Sequence, residues 1–102
     1  MKAIILNKVF EGPYTNIADV KNKPGVFVVV TESNGVSPCS ILDTVESANV
    51  RDMLLKHRRE SMWKTNSIGS PKFLAYYEQN LNERKHLKNQ IKREFNPICT
   101  YS

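Results

Sequence analysis

The stretch Pro24-Gly25-Val26-Phe27-Val28-Val29-Val30-Thr31 sets the reading of this chain. Pro24-Gly25 is a turn signal. The run from Gly25 to Thr31 is dense in β-branched residues and predicts a strand. Ser33-Asn34-Gly35 follows, and Asn-Gly is the favoured hairpin dipeptide because both positions tolerate positive φ. Pro38 to Thr44 supplies a second short strand, Cys39-Ser40-Ile41-Leu42-Asp43. These two strands are expected to pair antiparallel.

Working outward, a helix is expected from about Ser47 to Glu60, capped by Ser47 or Asn49. Val50, Met53, Leu54 and His57 fall at helical spacing and mark its inward face, with Arg51, Arg58 and Arg59 off that stripe. Trp63 to Pro71 reads as a loop. Lys72 to Glu78 is a third strand. Asn80 or Asn82 caps a last helix reaching about Phe95, with Leu87, Ile91 and Phe95 as its apolar stripe. Lys85, Lys88 and Lys92 form a neighbouring basic stripe, and Asn96-Pro97 ends the helix. Upstream, Ile4, Ile5, Leu6, Val9 and Phe10 are apolar, but Gly12-Pro13 breaks the run. Residues 1–23 therefore read as an irregular or partly extended lead-in to a core over 24–100. The expected class is α/β in the α+β sense. It is a small, three-stranded, mostly antiparallel sheet flanked by helices, in the order β-β-α-β-α.

At 102 residues the chain suits one domain, here 1–102. A domain of this size buries roughly 65% of its unfolded surface, enough for one core. Composition is globular, with 40% hydrophobic and 25% charged residues, which excludes a disordered chain. No apolar run is long enough to span a membrane, and the Ala3 to Leu6 stretch is too short for a signal-peptide core. Cys39 and Cys99 make neither a disulfide framework nor a metal-ligand set, and read as reduced thiols in a cytoplasmic protein. Residues 1–50 carry four basic and five acidic side chains, and residues 51–102 carry eleven and five. All of the net charge of +5 thus lies in the second half, a mild footprint for an anionic partner.

Taken together, these pieces resemble a GIY-YIG nuclease module. Pro24-Gly25-Val26-Phe27 is similar to the family's first motif. Glu46 to His57 resembles the stretch after the second motif. Trp63-Lys64, the strand Phe73 to Glu78, and Glu83-Arg84-Lys85 through Pro97-Ile98-Cys99 sit where similar elements sit. The resemblance implies metal-assisted hydrolysis of a phosphodiester. It uses one tyrosine from each motif, an arginine on the first helix and a metal-binding glutamate on the last.

Here those positions hold Phe27, Asp43, Met53 and Lys88. His57 and Asn49 match residues common in the family. Phenylalanine relays no proton. Methionine offers no charge to a phosphate. A lysine repels the Mg2+ that a carboxylate would hold. The expectation is a pseudoenzyme with no catalytic or metal-binding residues and no cofactor.

Three functions then compete. The first is binding of DNA or RNA without cleavage, through Arg51, Arg58, Arg59, Lys64, Lys85, Lys88 and Lys92, with Trp63, Tyr76 or Tyr77 stacking on unpaired bases. Strand alternation sends Tyr76 and Tyr77 to opposite faces. The second is a protein-interaction or assembly module, including a homodimer, using Ile4 to Phe10 as an interface strand. The third is a rewired Mg2+-dependent nuclease using Asp43 with Glu46 or Glu83, and His57 as base. Clustering of the basic residues on one face favours the first. Their scatter, with an apolar patch left bare, favours the second.

Overall fold

The computed structural model describes residues 2–31, 40–57, 60–67 and 69–95. It has five strands: β1 (Lys2–Ile5), β2 (Lys8–Tyr14), β3 (Gly25–Thr31), β4 (Ser40–Ser47) and β5 (Lys72–Tyr77). The helices are α1 (Val50–Leu55), α2 (Glu60–Asn66) and α3 (Leu81–Phe95), with a short 3-10 turn at Ile17–Asp19. The class is α+β. One antiparallel sheet runs in the order β1-β2-β5-β3-β4.

β3 lies between β4 and β5 and is buried along its whole length. That is why its sequence is continuously apolar rather than alternating. Its side chains divide by parity between two cores. Phe27 and Val29 join Val50, Leu54, Trp63 and Phe73 on the face covered by α1 and α2. Val26, Val28 and Val30 join Phe10, Leu74, Leu87 and Ile91 on the face covered by α3. The sheet is therefore a partition with a helical layer on each side. Gly25 is where β3 and β5 approach too closely for a side chain, since a Cβ there would lie 2.4 Å from the Tyr76 carbonyl oxygen.

The N-terminal segment departs from the expected lead-in. β1 and β2 form a tight hairpin in the register Lys2↔Glu11, Ala3↔Phe10, Ile4↔Val9 and Ile5↔Lys8. Leu6 and Asn7 span the turn with φ of 50° and 65°, the double positive φ of a type I′ turn. A leucine at positive φ is disfavoured, but its half-buried side chain packs on the α3-side core. β2 then joins β5, with a register shift at Gly12-Pro13. The sheet thus has five strands where three were expected, and Gly12-Pro13 bends a strand without ending it.

The expected helix from Ser47 to Glu60 is instead two short helices. Ser47 belongs to β4, whose span is longer than expected. α1 ends at Leu55, where Lys56 leaves helical geometry (φ −115°, ψ 14°). The Asn49 side chain makes no capping bond. The first turn is satisfied from elsewhere: the Val50 N–H donates to the Lys23 carbonyl at 3.1 Å and the Asp52 N–H to Asn22 Oδ1 at 3.1 Å. Trp63 lies on α2, not in a loop. α3 is capped as expected by Asn80, whose Oδ1 accepts from the Glu83 N–H at 3.0 Å. Its buried stripe is Arg84, Leu87 and Ile91, while Phe95 is exposed. The Asn34-Gly35 turn, Arg58, Arg59, Cys39 and Cys99 lie outside the described residues. Among the described residues no helix is long and apolar enough to cross a membrane.

Candidate functional site

Phe27 and Asp43 stand on the α1–α2 face, and both are fully buried. Asp43 is held firmly: its Oδ1 accepts from the Thr44 N–H at 2.8 Å and its Oδ2 from the Trp63 indole Nε1 at 2.9 Å. Phe27, His57, Trp63 and Phe73 make an aromatic cluster, with His57 4.9 Å and Phe27 6.2 Å from Trp63 between ring centroids. A buried acceptor serving an indole is a satisfied structural pair. It leaves no surface on which a substrate phosphate could meet Phe27 or Asp43. Met53 is on the exposed side of α1, at 40% exposure, rather than on its inward face.

Lys88 is on the other side of the sheet. It rides on α3, whose Leu87 and Ile91 pack into the opposite core. Phe27, Asp43, Met53 and Lys88, which the resemblance set in one site, therefore do not share a cleft, and the charge on Lys88 has no site in common with Phe27 and Asp43 on which to act. The carboxylates of the rewired site are divided in the same way. Asp43 faces α2. Glu46, three residues along the same strand, faces α3 and accepts from Arg84 Nε at 3.0 Å. Glu83 is exposed on α3. Among the described residues no three His, Cys, Asp or Glu side chains group closely enough to hold a metal ion together.

The basic residues also separate. Arg51 and Lys64 belong to α1 and α2 on one face. Lys85, Lys88 and Lys92 lie along one flank of α3 on the other, with Lys85 exposed and the other two half-buried. Trp63 and Lys64 line a cleft of about 490 Å3 with Ile17, Leu55, Pro71 and Phe73. Trp63 is 1% exposed, so it forms a wall of that cleft and not a stacking platform. Tyr76 and Tyr77 point to opposite faces as expected and are half-buried. Tyr76 packs against Phe10, with ring centroids 5.5 Å apart.

Two groupings escaped the sequence reading. Arg84 is buried, bonded to Glu46 and to the carbonyls of Glu78 (3.2 Å) and Gln79 (2.8 Å), and so ties α3 to β4 and to the end of β5. Its place at i−3 from Leu87 is the available signal, a weak one because arginine is usually a surface residue. The other is a polar cluster on the α1–α2 face. Lys21 Nζ lies 3.8 Å from Glu11 Oε1, the Tyr14 hydroxyl donates to the same oxygen at 3.5 Å, and the Lys21 N–H donates to the Tyr77 hydroxyl oxygen at 3.0 Å. Burial pushes both tyrosines above their ordinary value, and the Glu11 charge adds to it. It escaped because half of it comes from a strand read as a lead-in.

Exposed apolar side chains lie on α1 (Met53, Leu55), on α3 (Leu81, Phe95) and on the β1–β2 hairpin. Ile4 is 73% and Val9 49% exposed. They are direct cross-strand partners and so share one face. It is the face opposite Ile5 and Phe10, which are buried in the α3-side core. On its outer side β1 has no neighbouring strand among the described residues. No family model, no curated protein and no solved structure matches the chain.

Proposed function

We propose that this domain works by binding protein, as a non-catalytic assembly module that offers the open edge of β1 and the bare face of the β1–β2 hairpin to an extended segment of its partner. The observation that carries the reading is the Ile4–Val9 pair: two β-branched residues side by side and exposed, one on the end strand β1 and one on its neighbour β2. An open edge with an apolar row beside it is the surface to which a further strand adds, backbone bonds supplying affinity and alternate side chains supplying specificity. The separation of the basic residues onto two faces supports the same choice. In this reading the chain is GIY-YIG-like and non-catalytic, with Phe27 and Asp43 sealed under α2, Met53 uncharged and exposed, and Lys88 across the sheet from them.

The test is an amide-resolved NMR titration with a short peptide alternating isoleucine and threonine. Saturable shifts centred on Ala3 to Ile5, lost in Ile4→Lys, are the expected result. Shifts spread evenly over the surface, or none at millimolar peptide, would overturn the reading.

One observation favours a second reading, binding of nucleic acid through α3. Lys85, Lys88 and Lys92 follow one another at spacings of three and four, which places three ammonium groups on one helical flank over about 10 Å. Binding there should fall steeply between low and physiological salt. Lys88→Glu should weaken it further for single-stranded DNA, duplex DNA or RNA. An affinity indifferent to that reversal removes this reading.

A further inference from the structure

We propose that the partner at the β1 edge is a second copy of this chain, paired antiparallel about a two-fold axis at Ile4, so that two five-stranded sheets become one sheet of ten. The proposal rests on the reading of that edge as a docking surface and names its occupant. Three observations carry it.

The first is backbone direction. β1 and β2 are joined through a two-residue turn with Ile5↔Lys8 as the closing pair. In such a hairpin the closing pair exchanges both of its hydrogen bonds, and bonded and non-bonded pairs then alternate. Ile5 and Ala3 therefore direct their N–H and C=O toward β2, while Ile4 directs its own outward. A two-fold axis at Ile4 lets each Ile4 N–H donate to the other copy's Ile4 carbonyl. A strand with this symmetry of donor and acceptor is self-complementary, as an isologous interface requires.

The second is the side-chain row. Ile4 and Val9 share a face. The same axis, normal to the sheet, sets them beside their counterparts in the order Val9, Ile4, Ile4, Val9. Four exposed β-branched side chains then form one continuous ladder, and the two most exposed of them, the isoleucines at 73%, lie at its centre. A shift by one residue would oppose the bare face of one copy to the α3-covered face of the other, so the register follows from the pattern.

The third is charge. The net +5 would oppose self-association, but it resides in residues 51–102. Residues 1–50 balance four basic against five acidic side chains, and Lys2 stands opposite Glu11 in the hairpin register. The hairpin itself, residues 2–14, carries Lys2, Lys8 and Glu11, a net charge of +1 in a chain of +5.

The experiment uses the full chain. Sedimentation equilibrium from micromolar to several hundred micromolar is expected to show a shift from one chain to two, and Ile4→Lys is expected to raise the dissociation constant about tenfold or more by setting two lysines against each other. Circular dichroism of the variant confirms that the fold is kept. The register is read separately in a Cys39→Ser, Cys99→Ser background. There Ile4→Cys places thiols on α-carbons about 5.5 Å apart, within disulfide reach, and should cross-link rapidly on mild oxidation, while Val9→Cys should not. A dimer in which residue 4 does not cross-link overturns the proposed pairing. A chain that stays monomeric at every concentration overturns the second copy as occupant, and a peptide that still saturates β1 in that case shows that the docking surface itself survives.

Discussion

Trp63 donates its indole N–H to Asp43 across 2.9 Å of buried space, joining α2 to β4 beneath the first core. The contact fastens a helix of seven residues to the sheet. Asp43→Ala leaves both the indole and the Thr44 N–H short of an acceptor, and should cost about 2 to 4 kcal/mol. Asp43→Asn keeps an oxygen for one of them and should cost about half as much. Urea unfolding followed by fluorescence reads both, because Trp63 is the chain's single tryptophan. Equal stability in all three proteins would show that the bond fastens nothing.

The Arg84–Glu46 pair makes a different prediction. Their side chains are 7% and 18% exposed, so removing the acid strands a guanidinium away from water. Glu46→Ala should destabilise the fold by about 2 to 4 kcal/mol. Glu46→Leu combined with Arg84→Met should recover much of that loss, since an apolar pair carries no desolvation cost. A double-mutant cycle measures the coupling, and a coupling near zero would mean that the carbonyls of Glu78 and Gln79 alone hold Arg84.

Two glycines separate steric need from backbone preference. In Gly25→Ala the methyl group would meet the Tyr76 carbonyl oxygen at 2.4 Å and the Tyr77 α-carbon at 3.0 Å, so β3 and β5 must part. The expected loss is about 2 to 3 kcal/mol. Gly69 has φ of +75° and open space where a side chain would go, so Gly69→Ala should cost about 1 kcal/mol. Thermal denaturation of the two variants gives the order directly.

Tyr77 ties stability to alkaline pH. Its hydroxyl is raised above the ordinary 10.0, first by burial. A group whose folded value exceeds its unfolded value contributes stability that is complete below the unfolded value and is lost as pH climbs through the folded one. Stability should therefore begin to fall near pH 10 and continue falling above it. Tyr77→Phe should flatten that decline while lowering the plateau, because the Lys21 N–H loses its acceptor. Denaturant midpoints against pH, alongside phenolate absorbance, test both halves.

Much of the architecture was legible because burial leaves a periodic trace. Gly25 to Thr31 and Lys72 to Tyr77 read as strands from β-branched and aromatic density, and Leu87 and Ile91 marked the inner side of α3. The N-terminal hairpin was not legible. Leu6-Asn7 is a poor match to the residues a type I′ turn favours, and Gly12-Pro13 resembles a stop. The break at Lys56 was hidden because apolar spacing continues through His57. The site was less legible than the fold. Periodicity tells which side of a helix is buried but not which side of a sheet receives it, and the resemblance set Lys88 and Asp43 in one site where a sheet stands between them. Arg84 was missed because its burial depends on Glu46, thirty-eight positions away.

The strand order also imposes a schedule on biosynthesis. β2 reaches the rest of the sheet through β5, with Glu11 beside Ala75 and Tyr14 beside Phe73. On the ribosome the hairpin emerges before β5, so its berth does not exist until residue 77 has left the exit tunnel. Through that interval Phe10, later wholly enclosed, waits in water with Ile4 and Val9. The nascent chain thus holds an apolar hairpin bare until the closing of the sheet shelters it.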